Sequence, residues 1–511
     1  MEEIKNVKGT HDVIGDEANA YTAVESLLKS IAELFAYKEV RPPVLEHSEL
    51  FVRGVGESSD VVRKEMYTFL DKGERSLTLR PEFTAGIMRV IVQNKLYVDR
   101  EMPLKLYYCG PVFRYERPQL GRYRQFNQFG VESVGQPNYL NDAEVITMAY
   151  TMLTTLGLEN VTLKINTLGD DQSRENYKTA LKEFFKDKVA NMCPDCQSRF
   201  ELNPLRILDC KVPEDQEIVK NAPKMSAYLT EESKEKFQKL CDVLDDMAIP
   251  YEVDDTLVRG LDYYSDAVFE FHYKSSKGNN YGAIGAGGHY GKLVREVGGP
   301  DLPGVGFSFG VERLVSVLMD DDLLPDVSSK LDVYMMPMGE DAQRYCLNVA
   351  NALRMQGLFV DMCFDKAKMG SQFKRAEKKN AKFAIIIGDN EIENGTVIIK
   401  NLKTTEQTTV GVDDVINTIL TMLDEEHDHE CGCGCGCHEH DHDCECGCHE
   451  HEHGCGCGCN CGEHGCDCEY CGHDIDAFPC KETGKCPCGN DPKKCECVKN
   501  NACKCKMKEG N

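Results

Sequence analysis

The stretch Gly110-Pro-Val-Phe-Arg-Tyr-Glu-Arg-Pro-Gln-Leu-Gly-Arg-Tyr-Arg-Gln-Phe-Asn-Gln-Phe-Gly-Val-Glu132 decides the fold. Arginines and carboxylates alternate with aromatics around a Pro/Gly bend. The flanks LKLYYCGPVF and RQFNQFGVE read as two strands, and the polar segment between them reads as the turn of a hairpin. Two arginines precede the turn and two follow it. Such a hairpin suits polyanions, and Arg114 can grip a phosphate with a two-pronged hydrogen bond that lysine cannot match. Gln128 and Glu132 lie four residues apart on a strand, so they share a face and can hold an ammonium group. Phosphate and amine on one surface point to ATP and an amino acid. Taken alone, the hairpin also fits a solvated, salt-bridged surface.

Three further segments favour the first reading. Leu79-Arg-Pro-Glu-Phe-Thr-Ala85 places Glu82 and Thr84 between a strand-like run and a helical one. Leu257-Val-Arg-Gly-Leu-Asp-Tyr-Tyr264 sets Arg259 beside Tyr263 and Tyr264. Gly304-Val-Gly-Phe-Ser-Phe-Gly-Val-Glu-Arg-Leu314 runs from a glycine-spaced strand into an apolar helix that Arg313 opens. Glycines there let the backbone approach a nucleotide closely. Each residue also has a plainer role: the tyrosines as strand aromatics, Glu82 as a helix cap, Arg313 as a partner of Glu312.

Taken together and in order, these segments resemble motif 2, the histidine signatures and motif 3 of the bacterial class II histidyl-tRNA synthetases. The resemblance runs from Val7-Lys-Gly-Thr-His-Asp12 to about residue 423, with Arg41-Pro-Pro-Val-Leu-Glu46 resembling motif 1. It implies a homodimer with Pro43 at its interface. It also implies activation of L-histidine by ATP with Mg2+, followed by transfer to tRNA(His). In that reading Arg114, Arg259 and Arg313 are the catalytic residues, and with Glu116 they bind ATP. Glu82, Thr84, Gln128, Glu132, Tyr263 and Tyr264 hold histidine. Arg117, Gln119 and Arg122, with Arg124 nearby, meet the acceptor end of the tRNA. The sequence departs from the family pattern at Phe83, where glycine is usual. It departs again at His289 and Gly291, where Arg and Asp are usual, and no family role passes to those positions.

The expected fold class is α+β. An antiparallel catalytic core spans residues 1–325 and carries a helical insertion at about 170–250. A small α/β anticodon-binding domain spans 331–423, and a Cys/His-rich tail spans 427–511. Tyr21, Val24, Leu28, Ile31 and Phe35 recur at helical spacing and predict a helix over about 17–36. A formal net charge of −26 argues against general nucleic-acid binding, so a tRNA needs locally basic surface. The hairpin tip is one such patch and Phe373-Lys-Arg-Ala-Glu-Lys-Lys-Asn-Ala-Lys382 is another. No apolar run spans a membrane and MEEIKNVKG lacks a signal-peptide core, so the protein is expected in the cytoplasm.

Cys193, Cys196 and Cys210 show a CxxC spacing suited to zinc. A fourth cysteine or nearby histidine is missing, so they read as reduced thiols and no metal is expected in the core. The tail holds 21 of the 28 cysteines and 10 of the 14 histidines. It opens with Cys431, Cys433, Cys435 and Cys437 and continues in Cys-x-Cys pairs almost without large apolar residues. It is expected to be disordered without ligand and to bind Zn2+ or another soft metal. Two other functions remain in competition. One is a histidine-binding regulatory paralogue of the synthetases, which lacks an anticodon module. The other is a metal-binding or sensing protein on a synthetase scaffold.

Overall fold

The computed structural model describes residues 3–98, 100–118, 121–325 and 331–429. The chain divides into two compact units, residues 1–336 with 358–384 and 401–405, and the remaining described residues from 337 onward. Every residue placed in a site below belongs to the first.

That unit opens with helix α1 (Asp16–Leu34), which buries Tyr21, Val24, Leu28 and Ile31 along one stripe, as the spacing predicts. Short strands β1 (Lys38–Glu39) and β2 (Leu45–His47) follow, then α2 (Ser48–Val55), β3 (Tyr67–Leu70), β4 (Ser76–Leu79) and α3 (Thr84–Gln93). The hairpin is β5 (Leu104–Phe113) and β6 (Gln125–Val134), paired antiparallel from Leu104 opposite Val134 to Phe113 opposite Gln125. Next come α4 (Tyr139–Thr155) and β7 (Val161–Thr167). Helices α5 (Asp171–Phe185), α6 (Pro194–Leu202), α7 (Pro213–Val219) and α8 (Glu231–Asp246) fill the charged stretch read as an insertion. The chain returns through β8 (Tyr251–Val253), β9 (Ser265–Lys274), β10 (Asn280–Tyr290), the single turn α9 (Leu293–Glu296), β11 (Gly304–Gly310) and α10 (Val311–Asp320).

One eight-stranded sheet collects these strands in the order β1-β5-β6-β11-β10-β9-β7-β8. Its interior pairings are antiparallel. Only the edge pairs, β1 with β5 and β7 with β8, are parallel. The core packs α1, α4 and α10 against this sheet through Leu28, Ile146, Phe269, Phe309 and Leu318. Glycine is needed in the middle of the sheet for space. A Cβ on Gly285 would lie 2.2 Å from the Phe309 ring, and one on Gly306 would lie 2.1 Å from a Glu132 carboxylate oxygen.

The C-terminal segment is α/β. Its elements are β12 (Leu331–Pro337), α11 (Glu340–Arg354), β13 (Val360–Met362), α12 (Met369–Lys378), β14 (Ala381–Ile387), α13 (Asp389–Asn394), β15 (Thr396–Asn401), β16 (Gln407–Gly411) and α14 (Val415–His429). The strands order as β13-β12-β14-β15-β16. The basic run 373–382, expected on a helix, lies in α12 up to Lys378, while its end, Ala381 and Lys382, opens β14. No helix among the described residues is long and apolar enough to cross a membrane.

Candidate active site

β5, β6, β10 and β11 present their open face to a cleft of about 1040 Å³. Of the thirteen sequence-derived site residues in the core, eleven line it: Glu82, Thr84, Arg114, Glu116, Arg122, Gln128, Glu132, Arg259, Tyr263, Tyr264 and Arg313. Arg117 is exposed on the hairpin and does not line it. Gln119 and the four tail cysteines Cys431, Cys433, Cys435 and Cys437 lie outside the described residues.

The acidic end is buried. Glu132, 1 % exposed, accepts hydrogen bonds from Thr84 Oγ1 (2.7 Å), Tyr108 OH (3.2 Å) and Tyr290 OH (2.7 Å). Burial pushes its carboxyl up from 4.5 to about 8, with the Glu82 charge adding to the rise and the three hydroxyls opposing it. Glu82 accepts from the backbone N–H groups of Thr84 (2.6 Å) and Ala85 (2.9 Å). It therefore caps α3 while lining the cleft. Burial raises its carboxyl too. Among the described residues neither carboxylate has a Lys, Arg or His nitrogen within ion-pair distance. Two buried acids without a cation are costly unless protonated or paired by a ligand. Gln128 donates from Nε2 to Ser308 Oγ (2.8 Å), and its buried Oε1 has no hydrogen-bond partner. That leaves an acceptor ready for an ammonium. Tyr263 and Tyr264 pack ring to ring at 4.6 Å.

The cationic end is more open. Arg114 donates from Nε to the Pro81 carbonyl (2.8 Å), and its guanidinium stands 5.6 Å over the Phe126 ring. Its nearest carboxylate is Glu116 at 3.9 Å. Arg259 is ion-paired with Glu270, which also bonds His272 Nε2 at 2.8 Å. Arg313 donates to the Ala283 carbonyl (2.7 Å) and is not paired with its neighbour Glu312. Glu312 turns inward to accept from the backbone N–H of Asn127 at 2.8 and 2.9 Å, and burial raises it to about 7. A recess of about 200 Å³, sharing Arg114, Ser308 and Arg313 with the main cleft, has Phe126 and Tyr123 on its wall. An aromatic face opposite a guanidinium suits a purine.

The remaining hairpin arginine serves structure. Arg124 lies 3.9 Å over the Tyr115 ring and donates to the carbonyls of Glu116 (3.3 Å) and Lys8 (3.4 Å). Two of the three departures from the family pattern, Phe83 and His289, also find packing reasons. Phe83 is buried and stacks on Tyr108 at 4.2 Å, with the Arg80 guanidinium 3.8 Å over its ring. His289 is 2 % exposed, with Nδ1 at 2.9 Å from Asp142 and Nε2 at 3.7 Å from Asp266. It is a packed residue away from the cleft. Nothing in the structure explains Gly291, where a Cβ would make only ordinary contact with Ser265 Oγ at 3.5 Å.

Sequence reasoning missed Tyr108 and Tyr290, which hold Glu132, and Glu270, which holds Arg259. It also missed Phe126. The strand alternation of AVFEFHY could have flagged Glu270, because it shares a face with His272. Tyr108 and Tyr290 carry no comparable signal, since a buried strand tyrosine looks the same whether or not its hydroxyl meets a carboxylate.

A family model described as Histidyl-tRNA synthetase matches residues 9–314, and one described as Anticodon binding domain matches residues 332–422. The chain is 44 % identical over 415 residues to the histidine–tRNA ligase of Bacillus subtilis strain 168, covering 81 % of this chain and 97 % of that protein. It is 43 % identical over 416 residues to the histidine–tRNA ligase of Staphylococcus aureus strain JH9, covering 81 % and 99 %. The crystal structure of apo S. aureus histidyl-tRNA synthetase superposes with a TM-score of 0.70 at 36 % identity, over 82 % of this chain and all of that one.

Proposed function

The chain belongs to the histidyl-tRNA synthetase family, and from that premise we propose how its cleft carries out the family's ligation of L-histidine to tRNA(His). Arg114 and Arg259 flank the α-phosphate of ATP, and Arg313 contacts the phosphate tail. Glu82 and Tyr264 recognise the imidazole, Gln128 and Glu132 hold the α-amino group, and Thr84 and Tyr263 complete the pocket. A histidine carboxylate oxygen attacks the α-phosphorus, pyrophosphate leaves, and the terminal ribose hydroxyl of the tRNA then takes the histidyl group from AMP. The amino acid brings its own nucleophile, so the protein supplies alignment and positive charge where the phosphorus becomes five-coordinate.

The observation that carries this reading is the polarity of one cleft. Arg114 and Arg259, from distant parts of the chain, line the same cavity as the cation-free pair Glu82 and Glu132. Mg2+ belongs to the nucleotide substrate. Glu116 and Glu270 face arginines, and among the described residues no group of three or more carboxylates converges in the cleft. In this proposal the phosphates carry the ion. A site that hydrogen-bonds both imidazole nitrogens rejects apolar analogues by roughly 10⁴-fold or more, because its own polar groups would be left unpaired.

Residues 1–325 serve as the catalytic domain with its insertion at 170–250, and residues 331–423 serve as the anticodon-binding domain. Arg117, Gln119 and Arg122 meet the acceptor end of the tRNA, and two copies pair near Pro43. The tail from residue 427, outside both family matches, is a soft-metal ligand by composition. A regulatory paralogue is disfavoured by the anticodon-binding match over 332–422. Histidine-dependent ATP–pyrophosphate exchange and charging of tRNA(His) test the assignment. Exchange that starts only when histidine is added is expected, and no exchange above a histidine-free control would refute it.

A further inference from the structure

The insertion brings together a set of side chains that the ligation does not use. Among the described residues, Cys193, Cys196, Cys210 and Asp215 form the one group of three or more Cys, His, Asp or Glu whose donor atoms converge, all within 4.8 Å of one another. The CxxC pair supplies two thiols and Cys210 the third. The fourth donor is a carboxylate that spacing could not reveal, because it sits on α7, the next helix.

The geometry is that of ligands around a shared centre. Cys193 Sγ and Cys210 Sγ are 3.9 Å apart. Two thiolates bonded at about 2.3 Å to a tetrahedral zinc would be separated by about 3.8 Å. A disulfide needs roughly 2.05 Å, so these are separate thiols. Asp215 Oδ2 lies 3.2 Å from Cys210 Sγ. The surrounding backbone orients the donors. The Cys196 N–H points at Cys193 Sγ (3.4 Å), and the Cys193 N–H points at both Asp215 oxygens (3.3 and 3.1 Å). Such supporting bonds fix the direction of metal ligands.

The charge balance is incomplete without a cation. Asp215 is 2 % exposed. Among the described residues it meets thiols and a backbone N–H but no Lys, Arg or His nitrogen within ion-pair distance. A buried carboxylate is held by a positive charge or costs stability. Cys196 and Cys210 are also buried, inside a small cluster formed by Tyr177, Leu181, Phe185 and Ile207. A core that small gains from a metal staple.

We propose that Cys193, Cys196, Cys210 and Asp215 bind one structural zinc ion that closes the insertion. Four protein donors leave no open position, so the ion takes no part in the ligation chemistry. Its effect is mechanical. The segment Pro204–Asp209 and its neighbour Cys210 run beneath it and form one wall of the cleft through Arg206, Leu208 and Asp209. Arg206 continues the brace, donating to Ser58 O (3.1 Å) and Asp60 Oδ2 (3.2 Å). The ion thus ties that wall to the core of the insertion.

The test uses the full chain, because the tail is then the same in every sample. Zinc is counted after gel filtration for the wild type, Asp215→Ala and Asp215→Cys. In parallel, mass spectrometry follows the alkylation rate of the peptides holding Cys193, Cys196 and Cys210, with and without chelator. The expected result is one zinc ion fewer in Asp215→Ala and none fewer in Asp215→Cys. Chelator should speed alkylation of Cys193 in the wild type at least tenfold. The wild-type chelator arm stands even if Asp215→Ala fails to fold. Equal zinc in all three chains with chelator-independent alkylation would overturn the proposal. So would a Cys193–Cys210 disulfide in freshly purified wild type.

Discussion

The arginines at one end of the cleft, the phosphate end of the proposed function, stand on long side chains anchored at one or two points, whereas the carboxylates at the other end are built into the sheet. Arg114 is hydrogen-bonded through Nε to the Pro81 carbonyl, and its terminal nitrogens have only the loose ion pair with Glu116 at 3.9 Å, which leaves them for a ligand. Arg259 is held by Glu270. Glu132 is clasped by three hydroxyls and fits only because Gly306 lacks a side chain. In the proposed function the arginine end follows a phosphate whose geometry changes during the reaction, and the acidic end, with its clasped carboxylate, refuses wrong substrates. On that proposal the contrast assigns rate to one end and selectivity to the other.

The largest expected effect follows from removing charge at the phosphate end. Arg259→Ala should lower the pyrophosphate-exchange rate by about 10²–10³-fold, or roughly 3–4 kcal/mol, the scale of one preorganised charge contact. It also leaves Glu270 without its arginine. An unchanged rate would break the comparison at its stronger side.

Next is Glu132→Gln, which keeps the shape and removes the charge. It should reduce kcat/KM for histidine by roughly 10²-fold, as a charge-assisted hydrogen bond worth about 1.5–3 kcal/mol is lost. The same variant sharpens a pH prediction. With its folded value raised from 4.5 to about 8, Glu132 keeps a proton in the substrate-free fold that the unfolded chain releases. Its stabilising contribution is complete below pH 4.5 and is lost as pH rises through 8. Urea unfolding of the substrate-free protein should show stability falling across that window by at most about 1.4 kcal/mol per pH unit. Glu132→Gln should flatten the slope, and a wild-type slope of opposite sign would contradict the burial argument.

Arg114→Lys comes third. It keeps the charge and loses the fork, so exchange should fall by roughly tenfold, at an unchanged KM for histidine. The smallest effect on activity is expected from His289→Ala. It leaves Asp142 buried without its partner and should destabilise the fold by roughly 3 kcal/mol. The exchange rate per folded molecule should stay within about threefold.

The phosphate end was the more legible in the sequence. Arg114, Arg259 and Arg313 sit in segments whose glycines, prolines and alternating aromatics mark turns and strands, and the family resemblance implied their convergence before any coordinates. α1 and the β5–β6 hairpin were legible for the same reason, since periodicity of 3.6 or 2 survives in an ordinary chain. Partners across the sheet were not. Tyr290 reaches Glu132 from a strand 158 residues away, and only the register of β6, β11 and β10 puts them together. Asp215 was hidden similarly, as a donor on a different helix from the CxxC pair. Arg124 misled in the opposite direction. It belongs to the basic pattern of the hairpin, yet its guanidinium is spent on Tyr115 and the N-terminal segment.

The account depends most on Arg114 and Arg259 acting on one phosphate. The direct measurement is a double-mutant cycle on histidine-dependent pyrophosphate exchange with Arg114→Ala, Arg259→Ala and both together. Two groups sharing a charge should be coupled, so the double variant should lose less than the product of the single losses, with an interaction of about 1 kcal/mol or more. Strictly multiplicative losses, or a near-wild-type rate in either single variant, would contradict it.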